Sequence, residues 1–327
     1  MAAVSDAATS PDAPERPLAR GEILRWLRGR SVYVAFAALV ILNLLITPGF
    51  RNPFVARSLL FEAAPIILIA LGQSLAIGTR GIDLSVGSTM ALASAAVGLM
   101  LAHGQPEAAL AGIAVGLAVG AFNGCLVAFL RIDPLISGLS LLVAARGLAQ
   151  ALLGGSRVSL PGNGLFSTLS LAAIGGMPVV ALIALAFAAV MAVLVRNTLF
   201  GRFAIFAGSS RTAAFLAGVP VRRTLALVYA CSGCLAGIAG VFATARLGAA
   251  DPNYIGVNFE LDAIAAAVIG GTPLSGGRIS ILGSVFGVLL LQVLDATFIM
   301  NDINFNYAQI LKAVFIVAAL YLQRAGG

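Results

Sequence analysis

Gly81-Ile82-Asp83-Leu84-Ser85-Val86-Gly87 is a glycine-flanked polar knot between two apolar runs, 59–78 and 86–102. Lipid cannot solvate a carboxylate, so Asp83 must lie at a membrane boundary or face protein or water. The pattern returns as Gly271-Thr272-Pro273-Leu274-Ser275-Gly276-Gly277, again between apolar runs, with Gly, Leu, Ser and Gly at the same offsets. Two broken Gly-rich joints, marked by Gly81, Gly87, Gly271, Gly276 and Gly277, suggest a duplicated membrane unit with its functional site nearby. The rival reading is two loops that share glycine by chance.

Composition supports the membrane frame. Hydrophobic residues make up 60% of the 327 residues and charged ones 10%, against roughly 25% charged in soluble domains. The net charge of +7 does not point to nucleic acid, because 19 of the 20 basic residues are Arg placed mainly in short connectors. That distribution carries topology rather than a binding stripe. Cys125, Cys231 and Cys234 sit inside apolar runs and read as packing residues, so no disulfide framework is expected. His103 stands alone and suggests no metal site.

The segment 1–15 is rich in Ala, Ser, Asp and Pro, and 16–30 carries five Arg with Leu24, Trp26 and Leu27 interleaved, which suits an anionic lipid surface. Ten candidate spans follow: 32–48, 58–78, 84–102, 107–130, 134–153, 177–195, 224–246, 260–273, 280–300 and 307–322. The eighth is short and Gly-rich, so it is either a crossing or a broken, re-entrant segment. The run 159–175 reads as an external loop with a short helix. With a cytoplasmic start, fourteen basic residues fall inside and four outside, which places both termini in the cytoplasm. If the eighth span is a genuine crossing, both joints lie on the cytoplasmic side and the two copies run parallel.

Gly112, Gly116, Gly120 and Gly124 form a ridge on the fourth span, and Gly233, Gly237 and Gly240 do the same on the seventh. Close helix packing is the expected role. Candidate pathway residues are the polar groups held inside apolar runs: Gln73, Asp83, Ser85, Asn123 and Arg146. Asn123 could bind either a neighbouring helix or a polar solute. Arg146 needs water or a partner, and Asp83 belongs near the opposite face. Asp295 and Lys312 should share a depth in the last hairpin and form a structural ion pair.

The connector of about 196–223 carries five Arg. Within it, Ser209 or Ser210 can cap a two-turn helix through Arg211, Thr212, Ala213, Ala214, Phe215 and Leu216, which Gly218 and Pro220 end. So short a helix needs a docking partner. No phosphate-binding loop, metal cluster or nucleophile–base pair is present, so no catalytic residue is assigned and no cofactor is expected. If ATP supplies energy, another subunit must bind it. The rival class is an ion-coupled secondary transporter, against which no span carries clustered acids.

Three blocks in order, ALGQSLAIGTRGIDLSVGSTMALASA (70–95), DPLISGLSLLVAARGLAQALLGG (133–155) and ELDAIAAAVIGGTPLSGGRISILGS (260–284), resemble permeases of bacterial ABC-type sugar importers of the ribose, xylose and galactofuranose type. The likeness covers about 59–322. It implies two permeases as homo- or heterodimer, a cytoplasmic ABC ATPase subunit that binds the ATP, and a periplasmic or extracellular sugar-binding protein. It also implies an inner-membrane location and a coupling helix at 210–218. Autoinducer or branched-chain amino acid uptake belongs to the same wider group. The family's Asp, ARG and LSGGR features fall on Asp83, Ala145-Arg146-Gly147 and Leu274-Ser275-Gly276-Gly277-Arg278, and Lys312 matches a Lys of galactofuranose-type members. Two departures stand out: Arg80 replaces a Gly, and 207–214 lacks the usual Asn and any acid, which bears on the ATPase partner. The expected fold is an all-α polytopic membrane protein of about ten transmembrane helices, with a duplicated core and Gly-rich broken segments. Its parts are a basic cytoplasmic segment 1–30, one permease domain 31–323 and a cytoplasmic tail 324–327.

Overall fold

The computed structural model describes residues 31–324. The basic N-terminal segment 1–30, and the tail beyond Arg324, lie outside the described residues. The first five helices are α1 (Ser31–Ile46), α2 (Pro53–Gly78), α3 (Val86–Met100), α4 (Gln105–Ala128) and α5 (Pro134–Leu152). After them come the short α6 (Leu165–Leu171), α7 (Val179–Asn197), α8 (Leu199–Ser209), α9 (Arg211–Leu216) and α10 (Val221–Leu247). The chain closes with α11 (Phe259–Ile269), α12 (Ile281–Met300) and α13 (Phe305–Arg324). Each of the ten expected spans overlaps one of these helices. Among the described residues, seven helices are long and apolar enough to cross a bilayer unaided.

Local chemistry fixes several starts. Asn52 accepts from the Phe54 N–H, and Asp133 from the Leu135 N–H, each ahead of a Pro at the first helical position. α10 is the centre of the bundle and packs along α4, α2 and α3, while α12 packs on α11, α2 and α1. The α4–α10 contact is made through glycine. A Cβ on Gly116 would lie 2.5 Å from the Gly233 oxygen, and one on Gly124 2.7 Å from the Ala226 oxygen. Lipid gives helices no hydrophobic reason to associate, so this close backbone approach supplies the contact.

The connectors sort into two ends. At one, Arg57 reaches the Leu171 carbonyl, Gln105 binds the backbone of Asn163 and Phe166, and Asn301 meets Thr47. There too, β1 (Val158–Ser159) pairs with a short strand at Ala249–Ala250. At the other end the Gly277 N–H meets the Gly78 carbonyl at 2.9 Å, and Phe129 shares a groove with Phe215 and Val219. Successive long helices therefore alternate in direction.

This decides how the eighth segment runs. Ala250 packs against Gly98 at the first end, Gly256 packs against Gly87, and Gly277 reaches Gly78 at the second end. The chain does pass from end to end. Only the 11 residues of α11 are helical, about 16 Å of a hydrocarbon core of roughly 30 Å. The expected span 260–273 is thus corrected to a crossing whose first half, 251–258, is unwound. The connector 198–220 also differs from expectation, since it holds the apolar helix α8 as well as the short helix α9.

Candidate functional site

The polar knot folds back on the helix it leaves. Gly81 donates to the Ala76 carbonyl, and the chain climbs until Asp83 lies beside Gln73. With its amide oriented to satisfy both neighbours, Gln73 donates to the Asp83 carbonyl (3.1 Å) and accepts from the Asp83 N–H (3.3 Å). A helical side chain thereby replaces the backbone partner that the broken segment lacks.

The Asp83 carboxylate is 1% exposed. Its Oδ1 accepts from the Ser85 N–H (3.1 Å), the Ser85 hydroxyl (2.6 Å) and the Asn123 amide (3.1 Å). Its Oδ2 accepts from the Ser232 hydroxyl at 2.9 Å. Asn123 Oδ1 in turn accepts from the Ser137 hydroxyl at 2.5 Å. Four donors stand where water would, and no salt-bridge partner lies within 4.0 Å of Asp83 among the described residues. Such a carboxylate is held by neutral dipoles. The network ties the knot to α4, α5 and α10 at one level.

Four of the five pathway candidates, Gln73, Asp83, Ser85 and Asn123, are thus brought together, all of them buried. Arg146 is elsewhere. Its guanidinium donates to the carbonyls of Pro252 (3.0 Å), Ile255 (2.6 Å) and Gly256 (2.9 Å). Those carbonyls belong to the unwound half of the eighth crossing, which a helix would have satisfied internally. Gly256 also packs on Gly87, so Arg146 supports the far side of the same region.

The two joints touch but are not built alike. Gly271, Gly276 and Gly277 all have positive φ, whereas in the first joint Arg80 does (φ 61°) and Gly81 does not. Gly81 is needed for room instead, because a Cβ there would strike the Tyr229 hydroxyl. Gly87 is likewise pressed by Gly256 and Glu260.

Sequence reasoning missed Ser137 and Ser232, although both are polar residues in apolar runs. It also missed the Arg246–Glu62 ion pair between α10 and α2. Lys312 lies 2.9 Å from Asp295, as the hairpin argument requires, and also 2.9 Å from Asp262 on α11.

In the connector, the Ser210 hydroxyl accepts from the Ala213 N–H at 3.2 Å, so Ser210 rather than Ser209 is the cap. Gly218 closes α9 at φ 77°. Phe215 is 74% and Leu216 80% exposed, but Ala214 is fully buried against the protein's own helices. The exposed apolar face of α9 is therefore Phe215 and Leu216.

The family described as branched-chain amino acid transport system / permease component matches residues 55–320. The galactofuranose transporter permease protein YtfT of Escherichia coli K12 is 36% identical over 91% of this chain and 90% of its own. The fructose import permease protein FruF of Bifidobacterium longum is 36% identical over 85% of this chain and 79% of its own. The ribose import permease protein RbsC of Bacillus subtilis is 34% identical, covering 89% of this chain and 91% of its own. No solved structure matches the chain.

Proposed function

This chain belongs to the branched-chain amino acid transport system / permease component family, and from that premise we propose that it is the permease subunit of an ATP-binding-cassette importer carrying a monosaccharide inward by alternating access. The observation that carries the sugar reading is the likeness to permease proteins named for galactofuranose, fructose and ribose along most of the chain. The half-unwound crossing beside the Asp83 knot supports a transport role, since broken helices at membrane depth are tolerated where protein or a cavity satisfies the freed backbone.

The end of the molecule that holds both joints is the cytoplasmic one. Arg80, Arg131, Arg196, Arg202, Arg211, Arg222, Arg223 and Arg278 cluster there, against Arg51, Arg57, Arg157 and Arg246 at the other. On this reading both termini are cytoplasmic, a solute-binding protein docks at the opposite face, and a second permease completes the passage. A cytoplasmic ATPase subunit binds the exposed Phe215 and Leu216 of α9 and supplies the ATP chemistry. Phe215→Glu then leaves membrane levels normal while weakening ATPase co-purification and uptake.

The deciding experiment reconstitutes the permease in proteoliposomes with its ATPase and binding protein. Pentoses, hexoses and branched-chain amino acids are each tested for stimulated ATP hydrolysis and uptake. ATP-dependent uptake of one monosaccharide is expected. Uptake driven by an ion gradient without ATP sinks the importer reading, and stimulation by amino acids alone sinks the sugar reading.

A further inference from the structure

The two joints and the connector 198–220 meet in a patch made mostly of backbone. Gly277 donates to the Gly78 carbonyl at 2.9 Å, and Gly208, near the end of α8, lies so close to both that a Cβ on it would overlap the Gly78 oxygen. One long side chain crosses this patch. Arg80 donates Nε to the Ser275 carbonyl and one Nη to the Ser209 carbonyl, both at 2.7 Å. A guanidinium offers its donors in a rigid fork, so the two carbonyls are held in fixed relation. Ser275 belongs to the second joint. Ser209 is the residue before the α9 cap, and Arg80 itself is three residues from Asp83.

The backbone makes this more specific. Arg80 has φ 61°, a left-handed conformation that glycine adopts freely and a side-chain-bearing residue adopts at a cost. The two bonds from its guanidinium offset that cost at Arg80.

We propose that Arg80 is a positioning residue whose guanidinium clamps the connector to both Gly-rich joints, so that displacement of α9 is carried into the Asp83 network. This rests on the reading that α9 receives movement from an ATPase subunit. A glycine at this position removes the clamp without straining the backbone, which separates coupling from folding.

The test compares the wild-type permease with Arg80→Gly. In purified protein, backbone amides of 272–278 should exchange hydrogen roughly tenfold faster in the variant, the size expected from losing charge-assisted bonds. Folded yield should be unchanged. In proteoliposomes with the ATPase and binding protein, sugar moved per ATP hydrolysed should fall severalfold, while hydrolysis itself continues. Unchanged exchange at 272–278 overturns the clamp whatever transport does. Faster exchange with normal sugar moved per ATP overturns the coupling role, and loss of folded protein reduces Arg80 to a structural strut and also overturns it. If the wild-type assembly shows no ATP-dependent uptake, the importer reading fails separately, and the exchange result still decides the clamp.

Discussion

A buried Asp83 with no cation against it among the described residues depends on every donor it has. Ser232→Ala deletes the hydroxyl at Oδ2 and leaves a desolvated lone pair, a loss of ~1–3 kcal/mol. Insertion should be normal and the melting temperature of the purified protein lower; an unchanged melting temperature means that Oδ2 finds another donor. The charged cluster at Lys312 follows a different logic. Two carboxylates share one ammonium, so removing Asp295 leaves Lys312 paired with Asp262, whereas removing Lys312 leaves two acids facing each other. Lys312→Ala should therefore lower folded yield more than Asp295→Ala, and adding Asp295→Ala to Lys312→Ala should restore part of it. Equal single losses that simply add would sink the triad. At this scale Gln73, Asp83, Ser85, Asn123 and Arg146 were legible because such groups are costly in apolar runs. Ser137 and Ser232 were not, because a serine in a helix can satisfy itself on the carbonyl four residues back and so leaves little signal. The partners of Arg146 were hidden for a related reason: unwound carbonyls carry no residue signature.

Among the elements, the long helices could be read from their apolar length, and their starts from Asn52-Pro53 and Asp133-Pro134. The helix α8 could not, since its 11 residues are too few for a span and Arg196, Arg202 and Arg211 mark the stretch as a connector. The unwound half of the eighth crossing was also obscure. The segment 251–258 is a run of turns rather than a helix, and its stability comes from Arg146 and from contact with Gly87, both distant in sequence. The glycine ridge was legible, and its partner is now known to be the glycines of α10. That yields a paired test. Gly116→Leu drives a side chain into the Gly233 and Gly237 backbone and should abolish folded protein in membranes. Gly147→Ala, whose added Cβ meets nothing within 4 Å beyond its chain neighbours and its own helix backbone, should keep wild-type yield. Equal yields for the two would mean that α4 and α10 do not meet face to face.

For the whole molecule, parity decides which side each later residue faces. Helix count alone left the orientation of everything after α10 dependent on whether the eighth segment crosses. The contacts Gly98 to Ala250, Gly87 to Gly256 and Gly78 to Gly277 trace it from one end to the other, in agreement with the Arg distribution. A half-helical passage has too few apolar residues to be recognised by length, yet it reverses the expected side of every later residue. Reporters fused after Gly327 and within α9 near Arg211 should both read cytoplasmic, and one inserted near Asn253 should read external. A second external reporter after Asp302 should agree with Asn253, because Asn301 is bonded to Thr47 at the same end of the bundle. If Asn253 reads external while Asp302 reads cytoplasmic, the segment 251–269 turns back instead of crossing. The parallel arrangement of the two joints would then be lost with it.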